Sequence, residues 1–196
     1  MRSSLFLSVA LVLFLAGFSG DKPASWSIDA SHSKVGFKVR HLGISSVRGE
    51  FTDYDATITM DDEDLQSIQA SVTIQVASIY TRNERRDNHL RSDDFFSAEA
   101  FPAMTFESTG VANVEGTTFD LTGHLTIRDV TKEVVLTTEY LGAAQMGDSE
   151  RAGFEARTTI DRTEYGLTWN RLTEAGGAVV GHDVEIILEL ELIKDA

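Results

Sequence analysis

From Trp26 onward the chain alternates apolar and polar residues with a period of two, and nothing else in it constrains the fold so tightly. Side chains along a β-strand point to opposite faces in turn, so this pattern predicts strands with one buried face. Val35, Phe37, Val39 and His41 share one face, opposite Lys34, Gly36, Lys38 and Arg40. Tyr54, Ala56, Ile58 and Met60 follow, and Phe51 stands on the other parity, which predicts a bulge near Thr52. Ile68, Ala70, Val72, Ile74 and Val76 form the cleanest stripe. Later stripes begin at Met104, Phe119, Val134, Phe154 and Val184, with turns expected at residues 113–116 and 130–132. About eight strands joined by hairpin-scale connections make an antiparallel sheet. Closure removes exposed edges, and strands this long suit a tilted barrel better than a small sandwich. The expected fold is therefore all-β, an eight-stranded antiparallel barrel with a short helical insertion near residues 81–100.

That insertion, residues 81–106, mixes charge, a histidine, phenylalanines and Pro102 between plain strand segments. Thr81 and Glu84 have capping-box spacing, which predicts a helix through about Leu90. Ser92 is placed to cap a second turn carrying Phe95 and Phe96, and Pro102 returns the chain to extended structure. Residues 162–177 form a second irregular stretch, with Tyr165, Gly166, Trp169 and Asn170.

Arg2, an apolar run from Leu5 to Phe18, and the small residues Ser19 and Gly20 predict a secretory signal peptide over residues 1–20. The run is short for a membrane span, and Phe18 stands where a lipidated cysteine would be, so no stable membrane anchor is expected. Residues 21–196 then form one domain in the periplasm or outside the cell. The net charge of −14 repels phosphate backbones and argues against nucleic acid as a partner. With no cysteine, disulfides, thiol catalysis and thiolate metal sites are excluded.

An inward face drawn from these stripes comprises Phe37, Val39, Ile58, Val72, Ile74, Val76, Phe106, Leu125, Ile127, Leu136, Ile160, Ile186 and Leu188. Periodicity alone favours a packed core over a cavity behind such a face. Arg82, Arg85 and Arg86 suit a diphosphate head group, but a solvated helix face pairing with Glu84 and Asp87 is the plainer reading. His32, His41, His89, His124 and His182 show no metal-ligand spacing, so no metal or cofactor is expected. No G-x-S-x-G elbow is present, and no catalytic residue is assigned.

Several blocks resemble the YceI-like, polyisoprenoid-binding proteins: W-S-I-D-A-S-H-S-K-V-G-F-K-V-R-H-L from Trp26, G-E-F from Gly49, R-D-N-H-L-R-S-D-D-F-F from Arg86 and F-P-A-M-T-F from Phe101. G-H-L-T-I-R-D-V-T-K-E-V from Gly123 and V-G-H-D-V-E-I-I-L-E-L-E-L near the C-terminus extend the likeness over nearly the whole chain after residue 20. The resemblance implies a lipocalin-like barrel whose apolar cavity holds a polyisoprenoid, quinone-type or other long-chain lipid. His41, which shares the inward parity, and Trp169 would join its lining, with Phe95, Phe96 and Phe101 either framing the barrel mouth beneath the helix or sealing that end. The alternative is an isomerase or cyclase acting on that lipid, which requires His41, or His89 with Asp87, to converge inside the cavity. Such barrels can pair as homodimers, although no outward apolar stripe specifies a face.

Overall fold

Strand segments of very unequal length make up the sheet of this computed structural model, which describes residues 23–61, 64–172 and 176–195. They are β1 (Ala24–Ile28), β2 (Lys34–His41), β3 (Ser45–Phe51), β4 (Tyr54–Asp61), β5 (Asp64–Gln75), β6 (Ile79–Tyr80), β7 (Ala103–Glu115), β8 (Thr118–Ile127), β9 (Val130–Met146), β10 (Ser149–Asp161) and β11 (Val180–Lys194). One helix, α1 (Glu84–Arg91), and short 3-10 turns at Val76–Ser78 and Arg162–Tyr165 complete the elements. The predicted signal segment lies outside the described residues.

These eleven segments build a closed antiparallel barrel of eight wall strands. β1 and β2 lie end to end along one edge of β11, Ile28 opposite Leu192 and Lys34 opposite Glu189. β4 and β3 continue against them, with Trp26 opposite Ile58 and Val35 opposite Phe51. β5 and β6 pair in turn with β4 and β3, Ile74 facing Tyr54 and Ile79 facing Phe51. Three wall strands are thus each broken in two, whereas β7 to β11 run without such a break. Every wall strand pairs with its neighbours in sequence, and β11 returns to β1 and β2 to close the ring.

One of the three breaks accounts for the parity change read at Phe51. It arises from a break at Thr52 and Asp53 between two segments. Phe51 and Ile79, on odd numbers, are both buried, as are Ala56 and Ile58 on even ones. Backbone and side-chain groups span the interrupted ladders. Gln75 N donates to Asp53 O at 2.9 Å and Thr52 N to Ser78 O at 3.4 Å. Around the first break, Asp29 N donates to Glu191 O at 2.8 Å, and Glu191 N donates to Ser33 Oγ at 2.9 Å. Tyr54 adds its hydroxyl to Ser33 O at 2.9 Å.

Two expected turns move. β7 extends to Glu115, so the hairpin turn is Gly116 and Thr117, and Asn113 (φ 52°) sits at a register irregularity before it. The next turn is Arg128 and Asp129, because Ile127 already pairs with Val130 and leaves a two-residue loop with positive φ at Arg128.

The helix also starts later than its capping-box reading. Asn83 is the N-cap, its side chain accepting from Arg86 N at 3.0 Å. Arg82 has φ 63°, which turns the chain before the helix and moves Thr81 outside it. Thr81 instead donates its N–H to Asp87 Oδ1 at 2.9 Å, and its hydroxyl to the same oxygen. Ser92 serves as the C-cap of α1, with N–H and hydroxyl both donating to His89 O, and does not N-cap a second helical turn.

Candidate functional site

Inward side chains from the wall strands and the lid after β6 surround one elongated cavity of about 220 Å³. Phe37 and Val39 of β2, Ile58 of β4, Val72 and Ile74 of β5, and Phe106 of β7 line it. Leu125 and Ile127 of β8, Leu136 of β9, Ile160 of β10, and Ile186 and Leu188 of β11 complete the wall anticipated from the alternation. Its lining reaches from Val180 to Leu192 along β11. At ~3.3 Å per residue and a tilt of about 40°, that is roughly 30 Å of lumen, long and narrow.

The lumen stays open because several inward positions are small. Ala56, Ala70 and Ala156 all stand on the lining. At Gly49 and Gly123 an added Cβ would overlap the rings of Phe37 and Phe106 respectively, so these glycines let large rings lie against the wall. The volume exceeds the ~150 Å³ at which an apolar cavity already takes up a small hydrocarbon.

Phe95 and Phe96 bring the lid onto the cavity, joined by Leu90 of α1. Phe96 stands edge-on to Phe51 (5.9 Å between centroids), which in turn meets Phe37 at 5.9 Å. The lid is tied down by its charged motif. Arg91 donates to Ala77 O (2.8 Å) and Ile79 O (2.9 Å), so the helix is pinned to the carbonyls around the third break. Arg86 donates to Thr81 Oγ1 and O at 2.7 and 2.6 Å. It does not pair with Glu84 or Asp87 as the solvated-face reading requires, and Asp87 is buried against Thr81.

Three expected lining residues stand elsewhere. Val76 falls in the 3-10 turn, where strand parity is lost, and is buried at 1% exposure away from the cavity. Trp169 packs behind Phe95, with centroids 5.1 Å apart, and does not reach the lumen. His41 ends β2 opposite Ser45 and Val180, past the last lining residue of that strand. The convergence required for an enzymatic reading is not formed. His89 stands edge-on to Trp169 and Phe95, with Nε2 2.8 Å from Asp94 Oδ2, while the Asp87 carboxylate accepts from Thr81. Asp29, His32 and Glu191 bring potential ligand atoms within 4.8 Å of one another, but Arg151 donates to both carboxylates and already supplies the cation.

One polar residue of the cavity escaped the sequence reading. Arg162 is 4% exposed and lines the lumen at the lid end, beside Leu167. Its Nε donates to Gly181 O at 2.8 Å, Nη1 to Leu167 O and to Trp169 O, and Nη2 to Val180 O at 3.3 Å. Burial lowers its pKa, opposed by the charge of Asp161. Parity was only a partial signal: Arg162 falls on the even-numbered inward series of Phe154, Ala156 and Ile160 but lies in the 3-10 turn after β10.

Residues 26–192 match the sequence model of the YceI-like domain. The chain belongs to the YceI-like family. A UPF0312 protein of Staphylococcus aureus strain N315 is 36% identical over 163 residues, which cover 82% of this chain and 92% of that protein. The crystal structure of the Campylobacter jejuni YCEI protein is 35% identical, covers 86% of this chain and 97% of its own, and superposes with a TM-score of 0.68. A polyisoprenoid-binding domain from Saccharophagus degradans shares the fold at 17% identity, with a TM-score of 0.66 over 89% of this chain and the whole of that one. The lipocalin-like barrel of this YceI-like chain is thus shared across relatives of low sequence identity.

Proposed function

We propose that this YceI-like protein binds a polyisoprenoid or similar long-chain lipid, of quinone or polyprenyl type, inside the barrel, and that it does so after export to the periplasm or the cell exterior. The observation that carries the reading is the cavity itself: among the described residues, only Thr138 and Arg162 bring polar side chains to its wall. Thr138 already donates its hydroxyl to Leu136 O at 3.0 Å. Such a lumen holds a flexible chain by removing apolar surface from water, worth about 25 cal/mol per Å², and needs no directional contact along the tail. The polyisoprenoid-binding domain of Saccharophagus degradans, with the same fold, supports lipid as the ligand class.

Mass spectrometry of organic extracts from natively purified protein should recover a long-chain lipid in stoichiometric amount. Ala156→Phe, which fills the lumen from β10, should abolish that recovery while leaving a cooperative thermal transition. Repeated recovery of no lipid from the unsubstituted protein would refute the binding function. Export is tested by the N-terminal mass of protein recovered outside the cytoplasm, which should lack the first ~20 residues.

A further inference from the structure

We infer that the tip of the β2–β3 hairpin, with Leu172 beside it, is a docking surface for a bilayer containing anionic phospholipid, and that it sets the lid end of the barrel against the membrane. The inference rests on the binding function proposed above for its purpose, since a long-chain lipid has to pass between a bilayer and the lumen. Leu42 and Ile44 at the tip are 42% and 84% exposed, and Leu172 is 76% exposed. Backbone bonds gather the three at one place. Leu42 N donates to Val179 O and Val179 N to Arg171 O, both at 2.9 Å, and Leu172 pairs with Ala178. Val180, the next residue, lines the lumen and pairs with His41, so the patch lies at the lid end.

Backbone geometry does not call for leucine at this tip. Leu42 and Gly43 have φ of 54° and 72° in a turn closed by Ile44 N donating to His41 O at 3.2 Å. Two successive positive φ values favour Asn-Gly, and an exposed leucine there carries backbone strain as well as an apolar surface in water. The hairpin turns at Gly116 and Thr117, Arg128 and Asp129, and Gly147 and Asp148 hold no aliphatic side chain of this size. An apolar tip that the fold leaves uncovered points to an apolar partner.

Charge identifies that partner. In a chain of net charge −14, the run between Asp29 and Glu50 holds Lys34, Lys38, Arg40 and Arg48 and no acid. Lys38 is spent on Glu185 at 2.7 Å, and Lys34 lies 3.9 Å from Glu50. Arg40, Arg48 and Arg171 are exposed and form no ion pair among the described residues, although Arg48 helps at a distance to hold the Glu185 carboxyl low. Acids of the lid end stand mostly on other elements: Asp94 pairs with His89, Glu164 with Lys132, and Asp129 lies in the β8–β9 turn. Asp183 stands in the register irregularity of β11 beside the hairpin. Aliphatic side chains flanked by free guanidinium groups match the acyl boundary beneath a layer of anionic phosphates, where each cation strengthens binding roughly fivefold. A protein partner fits less well, since three side chains fall short of the about 800 Å² that each member of a stable pair buries. The same surface repels the acidic remainder of the chain, which makes docking reversible and turns the barrel tip first.

Sedimentation of natively purified protein with vesicles of phosphatidylcholine, alone or mixed with phosphatidylglycerol, tests the surface. The mixed vesicles should bind at least about tenfold more tightly, a preference that Arg40→Glu with Arg48→Glu should remove. Ile44→Asp should weaken binding about tenfold, whereas Met146→Asp, at an exposed apolar residue of the far hairpin, should leave it unchanged. Equal binding to both vesicles, or an equal loss in the two aspartate variants, would overturn the inference. The chain has no cysteine, so Ile44→Cys carries a single polarity-sensitive fluorophore, which should shift to the blue on mixed vesicles. A shift from Met146→Cys and none from Ile44→Cys would overturn the orientation. If Ile44→Asp alters the oligomeric state in light scattering and leaves vesicle binding intact, the tip belongs to a contact between copies of the chain and the inference fails. Vesicle binding by protein that yields no lipid would leave docking in place and refute the lipid-binding function, and lipid recovery without vesicle binding would do the reverse.

Discussion

One half of the barrel wall is broken and the other is continuous, and the two halves are held together differently. β7 to β11 are single strands of 10 to 17 residues joined by backbone ladders. Any alternating sequence of the right length can supply such ladders. The segments β1 to β6 each stop where a wall strand bends, and there particular side chains take over from the backbone. Ser33, Ser78, Asp87, Arg86 and Arg91 all bond main-chain groups at or beside these breaks. An interrupted ladder leaves N–H and C=O groups that must find partners. Of the six blocks that carry the family likeness, those from Trp26, Gly49 and Arg86 fall on the broken half and its lid, and the other three on continuous strands.

The sharpest test removes the acceptor beneath the lid. Asp87→Ala leaves the buried N–H and hydroxyl of Thr81 without their partner and should cost about 3 kcal/mol in urea denaturation. Ser33→Ala, which breaks the patch to Glu191, should cost about 1.5 kcal/mol, whereas Thr137→Ala on the outer face of continuous β9 should stay within about 0.5. Equal costs would dissolve the distinction between the two halves. Tyr165→Phe should act in the opposite direction. The Tyr165 hydroxyl is buried with no hydrogen-bond partner among the described residues, so its removal should stabilise the protein by about 1 kcal/mol in the same assay.

The smallest effect concerns charge at the first break. A hydrogen bond from Ser31 holds the Asp29 carboxyl well below the usual range, helped by His32 and Arg151, and Asp29 in turn raises His32 above the ordinary imidazole value. For His32 the raised pKa means a stabilisation present below the unfolded imidazole pKa and lost as pH rises through the folded one. For Asp29 the sign reverses: stabilisation is present above the unfolded carboxylate pKa and lost as pH falls through the folded one. NMR titration should find the His32 pKa raised, and Asp29→Asn should return it toward the free value. An unchanged His32 titration in that variant would show that the ion pair does not persist in solution.

Much of the wall was legible in the sequence. The stripes from Val35, Tyr54, Ile68 and Val184 name strands and their inner faces correctly, because alternation reflects covalent geometry and needs no partner to be read. Errors fall at the hairpin turns of the continuous half, in the stretch after β10 and where strands break. Val76 follows the stripe of β5 but sits in a 3-10 turn, and Thr81 has capping-box spacing but bonds Asp87. In both cases the spacing was right and the backbone path was not.

The sequence by itself determined an eight-stranded antiparallel barrel and the face each strand turns inward, since both follow from local periodicity and hairpin-scale connections. Tertiary structure alone decided that the interior stays open. Whether side chains fill a lumen depends on the sum of volumes that separate strands bring to one level, with Ala56, Ala70 and Ala156 contributing from three of them. It also decided that Arg162 spends its donors on the carbonyls of Leu167, Trp169, Val180 and Gly181 and still borders the cavity, because those partners lie 5 to 19 residues away and meet it only once β10 and β11 have paired and their connection has folded back.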